Sequence, residues 1–119
     1  GMPGSAKNVV TVGASASSRP GGETWGQEKQ SHFPKPPASA ELVCGDPSLV
    51  AAISSRGPTD AKQVKPDVVA PGTRILSVRA AGARVPYHPD FAGFGGRYGF
   101  LSGTSMATPV VSGAAAILR

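Results

Sequence analysis

With one cysteine, two histidines and few aromatic residues, the chain has limited means for several kinds of chemistry. Cys44 alone cannot form an internal disulfide, and it neither demands nor excludes an oxidising compartment. His32 and His88 stand far apart, so zinc spacing is missing. No loop is acidic enough for calcium to be assigned. No apolar run approaches the length of a membrane span, and no internal repeat occurs. Basic residues exceed acidic ones, giving a net charge of +5. They are scattered from Lys7 to Arg119 without a run or an interleaved aromatic stripe. A nucleic-acid footprint needs such clustering, so the charge reads as a basic surface and nucleic acid is not expected as a partner. Gly93-Phe94-Gly95-Gly96 follows no strand and opens no helix, which excludes a phosphate loop.

Glycine and proline, by contrast, are plentiful, at 16 and 12 of 119 residues. They mark turns and extended connections within what is at most one domain. Asn8 to Gly13 is rich in β-branched residues and reads as a buried strand of a parallel sheet, after which Ala14 to Ser18 leave the sheet. Arg19 to Pro47 reads as a long surface excursion, with Pro34-Lys35-Pro36-Pro37 at its centre and Trp25 and Phe33 pinning it to the body. Leu49–Ser54, Val68–Gly72 and Ile75–Val78 read as short strands separated by turns. A second Gly- and aromatic-rich loop over residues 82–99 leads into Phe100-Leu101-Ser102.

The most informative stretch is Gly103-Thr104-Ser105-Met106-Ala107-Thr108-Pro109. It reads as a loop becoming a helix. Gly103 permits a sharp turn, and Thr104 and Ser105 are types found where helices begin. The residues that follow, through Leu118, are almost entirely small or apolar, so the helix is expected to be buried. Pro109 is expected within the first turn, where its missing N–H costs nothing. Ser105 then lies near unpaired backbone N–H groups and the positive end of the helix dipole, a place suited to a serine that attacks a carbonyl.

This segment, with Ser112-Gly113-Ala114-Ala115-Ala116 after it, resembles the nucleophile segment of the subtilisin-like serine proteases, the subtilases. Ile53-Ser54-Ser55-Arg56-Gly57-Pro58-Thr59 and Lys65-Pro66-Asp67-Val68-Val69-Ala70-Pro71-Gly72-Thr73 are similar to two further signatures of that family. Ala6 to Ala14 is similar to the strand before them, and all four occur in the family's order.

The resemblance implies an α/β fold, present in part: a parallel strand, antiparallel short strands and turns, and a buried C-terminal serine helix. Residues 1–119 would be the C-terminal portion of a catalytic domain, incomplete, with long loops at 19–47 and 82–99. The family's catalytic Asp, catalytic His and oxyanion Asn would lie upstream. Gly1-Met2 reads as a cloning remnant before a start Met, so the absent secretory leader says nothing of the parent protein. An extracellular or cell-envelope parent is implied.

Ser105 is therefore the expected nucleophile of peptide-bond hydrolysis, with its own N–H as an oxyanion donor, Gly103 shaping the turn, and Thr104 steadying that turn or assisting the oxyanion. The base is missing. His32 lies in the Pro-rich excursion and His88 between Pro86 and Pro89, and neither sits in anything like the family's histidine motif, so both read as surface residues. Asp46 and Asp90 are further carboxylates. Asp67 reads as a carboxylate accepting structural hydrogen bonds rather than as the triad acid. Position 110, often His in the family, is Val110 here. No cofactor is expected, though calcium belongs to many family members. The implied partners are a peptide or protein substrate and the remainder of the catalytic domain, with no membrane. The isolated chain is expected to be inactive and prone to dimerise through an exposed sheet or helix surface. The alternative is a non-catalytic interaction module derived from a subtilase.

Overall fold

The computed structural model describes residues 2–82 and 94–119. Strand β1 (Val12–Ser15) is followed by a single helical turn, α1 (Trp25–Glu28). Then come β2 (Val68–Pro71), β3 (Ile75–Val78), β4 (Tyr98–Leu101) and the 15-residue helix α2 (Thr104–Leu118). β1 and β2 pair in parallel, Val12 opposite Val68 and Ala14 opposite Ala70. β3 and β4 pair antiparallel, Ile75 opposite Leu101 and Val78 opposite Tyr98. The mixture of a parallel pair, an antiparallel pair and a C-terminal helix is the expected partial α/β arrangement.

The first strand starts later than the β-branched run predicts. Val9 and Val10 are exposed, whereas Ala14, Ser15 and Ala16 are buried. Small side chains are what this strand needs, because α2 packs directly on it. Leu49–Ser54 is not a regular strand. Ala51 N–H donates to the Ala14 carbonyl at 2.9 Å and Ala16 N–H to the Leu49 carbonyl at 3.0 Å. These bonds border β1, but the chain turns away after them. The loop expected over residues 82–99 falls largely outside the described residues, and His88 and Asp90 lie wholly outside them.

Residues 19–47 depart most from a surface excursion. Trp25 and Val43 are fully buried and Cys44 nearly so, and all three belong to the main core with Ala14, Ala51, Ala70 and Ala107. The ends of the segment are laced together: Trp25 N–H donates to the Glu41 carbonyl (3.0 Å) and Val43 N–H to the Glu23 carbonyl (2.9 Å). The Gln27 side chain accepts from Thr24 N–H at 2.9 Å and so opens α1. Trp25 and Phe33 do pin the segment, with ring centroids 5.6 Å apart. Averaged composition reads this stretch as a loop because its few large apolar residues are widely spaced, yet those residues turn inward.

Helix α2 stands where expected, but its burial is limited. Ala107 is its buried residue and Val111 is partly covered, while Val110, Ile117 and Leu118 are exposed. One turn docks on the β1/β2 sheet; among the described residues nothing covers the remaining apolar faces. Pro109 is also deeper than expected. It is the sixth helical residue, so it removes the N–H that would bond the Ser105 carbonyl. Around it, Thr108 Oγ1 donates to the Thr104 carbonyl (2.9 Å) and Ser112 Oγ to the Thr108 carbonyl (3.1 Å).

Candidate active-site segment

The start of α2 is placed by close backbone packing. Gly72 follows β2, donates its N–H to the Ser15 carbonyl (3.0 Å) and accepts the Gly103 N–H at 2.7 Å. A Cβ on Gly72 would lie 2.6 Å from Ala14 Cβ and 2.9 Å from the Gly103 carbonyl oxygen. Glycine is thus required for the helix to approach the sheet this closely. Ala14 and Ala107, both fully buried, complete the junction. Ser102 is tied in as well, its Oγ accepting from Arg74 N–H at 2.9 Å.

From this anchor the chain enters α2. Gly103 is the N-cap, in extended backbone, and its carbonyl accepts the Met106 N–H at 3.0 Å. No side chain caps the helix, so Thr104 and Ser105 are its first two residues rather than caps. Ser105 is exposed. Among the described residues, neither its hydroxyl nor the Thr104 and Ser105 N–H groups have a hydrogen-bond partner. An open hydroxyl beside free N–H donors at the positive end of a helix dipole favours developing negative charge by roughly 0.3–1 kcal/mol. A cavity of about 480 Å³ adjoins the turn, bordered by Thr104, Thr11, Ser55 and Arg56. A larger one, about 670 Å³, is lined by Val50, Val64 and Pro66 and by no residue of α2.

The other two signature segments pack on each other. Gly57 N–H donates to the Lys65 carbonyl (2.8 Å) and Thr59 N–H to the Gln63 carbonyl (2.9 Å), closing a narrow loop. A Cβ at Gly57 would meet the Lys65 carbonyl at 2.8 Å. Buried Ser54 accepts from Ala14 N–H at 3.1 Å, beneath β1. Asp67 accepts from Lys65 Nζ and from Thr11 N–H, both at 2.7 Å. These bonds hold its carboxyl below the usual range, the lysine first and the Thr11 amide second. Asp67 therefore fastens β1 to β2, as its structural reading requires. The Ser48 hydroxyl, followed by the Ser48 amide, lowers Asp46 in the same way.

His32 is exposed, with Nδ1 3.1 Å from Ser31 Oγ. No group of three or more His, Cys, Asp or Glu that could hold a metal ion occurs among the described residues, and no helix there is long and apolar enough to cross a membrane. The sequence reading missed Arg74, whose partners Glu23 and Glu28 come from the segment read as a surface loop. No local pattern announces a pairing across that distance.

A family model described as the subtilase family matches residues 1–119. The chain belongs to the subtilases. The subtilase relatives include the serine protease AprX of Bacillus subtilis, 42% identical over 73 residues, 61% of this chain and 16% of AprX. Another is the subtilisin-like protease SBT3.16 of Arabidopsis thaliana, 51% identical over 72 residues, 59% of this chain and 8% of that protein. The minor extracellular protease Vpr of Bacillus subtilis is 42% identical over 71 residues, 59% of this chain and 8% of Vpr. The chain thus matches less than a fifth of the length of these subtilase relatives.

Proposed function

We propose that this chain supplies the nucleophile segment of a serine endopeptidase and acts together with the rest of a subtilase catalytic domain. The reading is carried by Ser105, an exposed hydroxyl at the second position of a 15-residue helix whose first N–H groups are free among the described residues. In this role Ser105 Oγ attacks the scissile carbonyl of a peptide or protein substrate as a base removes its proton. The carbonyl oxygen becomes an oxyanion, to which the Ser105 N–H donates. The C–N bond then breaks, the amine leaves with the proton, and water releases the acyl group. Gly103 and Thr104 set the turn.

In this reading the base and the acid that orients it are supplied by the rest of the catalytic domain, and the candidates among the described residues are otherwise engaged. Asp67 is committed to Thr11 and Lys65, and His32 is bonded to Ser31. Alone, the chain is expected to lack turnover, since loss of the base costs on the order of a million-fold. The exposed apolar length of α2 supports contact with the remainder of the domain or, in its absence, with a second copy.

Labelling with a fluorophosphonate, read by intact mass, tests the role of Ser105. In a polypeptide that carries this segment with the rest of the domain, one adduct is expected, and Ser105→Ala removes it. An adduct that survives Ser105→Ala, or none at all, would overturn the reading and favour a non-catalytic interaction module. The isolated chain is expected to stay unlabelled.

A further inference from the structure

Arg74 combines two unfavourable features. Its φ is +46°, a left-handed conformation that side chains of its size rarely adopt. It is also only 7% exposed although charged. A buried guanidinium needs acceptors, and a strained backbone needs something to hold it. Both needs are met from residues 23–45, the inner part of the 19–47 segment, tied to the body by Gly45 N–H on the Ser17 carbonyl. Glu28 Oε2 accepts from Arg74 Nε at 3.3 Å and from Nη2 at 3.1 Å, and Glu23 Oε2 accepts from the same Nη2.

The turn that Arg74 makes faces the start of α2. Gly72 accepts the Gly103 N–H at 2.7 Å, and Arg74 N–H donates to Ser102 Oγ at 2.9 Å. Between them Thr73 is fully buried, and its Oγ1 accepts the Ser17 N–H at 2.8 Å. Residues 72 and 74 therefore hold the two residues that immediately precede Thr104 and Ser105.

We propose that Arg74 is a positioning residue for Ser105. The grip of Glu23 and Glu28 on its guanidinium locks the left-handed turn, and that turn fixes where Ser102 and Gly103 enter α2. The inference rests on the reading of Ser105 as nucleophile. It makes the 23–45 segment, which touches no reacting atom, part of the scaffold of the site. An attacking oxygen displaced by about 1 Å loses on the order of a hundredfold in rate. A rigid strut behind it is the kind of support a reactive hydroxyl requires.

Hydrogen exchange read amide by amide on the 119-residue chain tests this without any chemistry at Ser105. Two variants break the clamp while sparing the fold. Glu28→Gln neutralises one acceptor at constant shape, and Arg74→Gly keeps a residue at ease in the left-handed turn. In each, Gly103 N–H is expected to exchange about tenfold faster, with the Ala16 and Ala51 amides of the core changing less than about threefold. The double variant should add little to Arg74→Gly, which already removes both glutamate contacts. Arg74→Lys should fall between, keeping the charge but losing the fork. Unchanged Gly103 exchange in both single variants would overturn the proposal, as would equal acceleration of Gly103, Ala16 and Ala51, which would make Arg74 a general stabiliser. The two readings fail separately. If labelling of Ser105 fails while Gly103 exchange follows the clamp, the nucleophile role falls and the strut remains. If labelling succeeds and Gly103 ignores the clamp, the reverse holds.

Discussion

The two ends of α2 are made of similar small and apolar residues and meet opposite surroundings. At the first turn, fully buried Ala107 sits over Ala14 and Gly72, and one backbone bond at 2.7 Å joins Gly103 to the sheet. Past Pro109, Val110 is 47% exposed, Ile117 86% and Leu118 88%. Apolar character therefore does not by itself bury a helix. Close approach does, and here close approach depends on side chains small enough to let two backbones meet. Ile117 and Leu118 at the far end are larger side chains, each worth about 1.5–3 kcal/mol if covered, and gain little of that from the described residues.

The contrast can be broken most forcefully from the buried side. Trp25→Ala should cost about 3–5 kcal/mol, a large share of the stability of a domain of this size, as urea denaturation would measure. Gly72→Ala comes next. Its Cβ cannot fit beside Ala14 without moving α2, so a loss of roughly 1–3 kcal/mol is expected, with faster exchange at Gly103. A full-strength fold in this variant would show that the junction is looser than the contacts indicate.

Asp67→Asn should have a smaller effect that depends on pH. The folded-state pKa of Asp67 is lowered, so its contribution is fully present above the ordinary carboxylate range and is lost as pH falls through the folded value. The stability gap between wild type and variant should therefore be widest near neutrality and close below about pH 4. A gap that is constant with pH would mean that the Lys65 and Thr11 bonds do not depend on the charge. Last, Ile117→Ser with Leu118→Ser should change stability by less than about 0.5 kcal/mol, because both side chains stand open among the described residues. The same pair should shift sedimentation toward a monomer if the bare face mediates self-association.

What the sequence made legible follows from how far each signal reaches. The residues of β2, β3 and α2 stand out locally, as short apolar runs and as a glycine followed by a helix of small residues. Asp67 could be read as structural because the family resemblance places the triad acid far upstream of its segment. Residues 19–47 read as a surface excursion because their inward residues, Trp25, Val43 and Cys44, are diluted among prolines and polar residues. Pro109 lies beyond the first turn because α2 starts at Thr104 with Gly103 as its cap, and no capping side chain marks that start in the sequence. The Arg74 clamp has no local trace, since Glu28 lies 46 residues away and the backbone strain at Arg74 has no compositional sign.

The parallel pairing of β1 with β2 also bears on the order in which the chain can fold. Thr11 and Asp67, bonded where the two strands begin, are 56 residues apart, so this sheet forms only by closing a long loop. Contacts of that span slow the search for the native state. The 23–45 segment lies inside the loop, and its own bonds between 23–25 and 41–43 shorten the length left to close. Because Trp25 is the sole tryptophan, its fluorescence reports that inner closure. Helical ellipticity, dominated by α2, reports the docking that needs the finished sheet. Stopped-flow traces of the two signals would show whether the inner closure runs ahead of the outer one or whether both arrive in a single step.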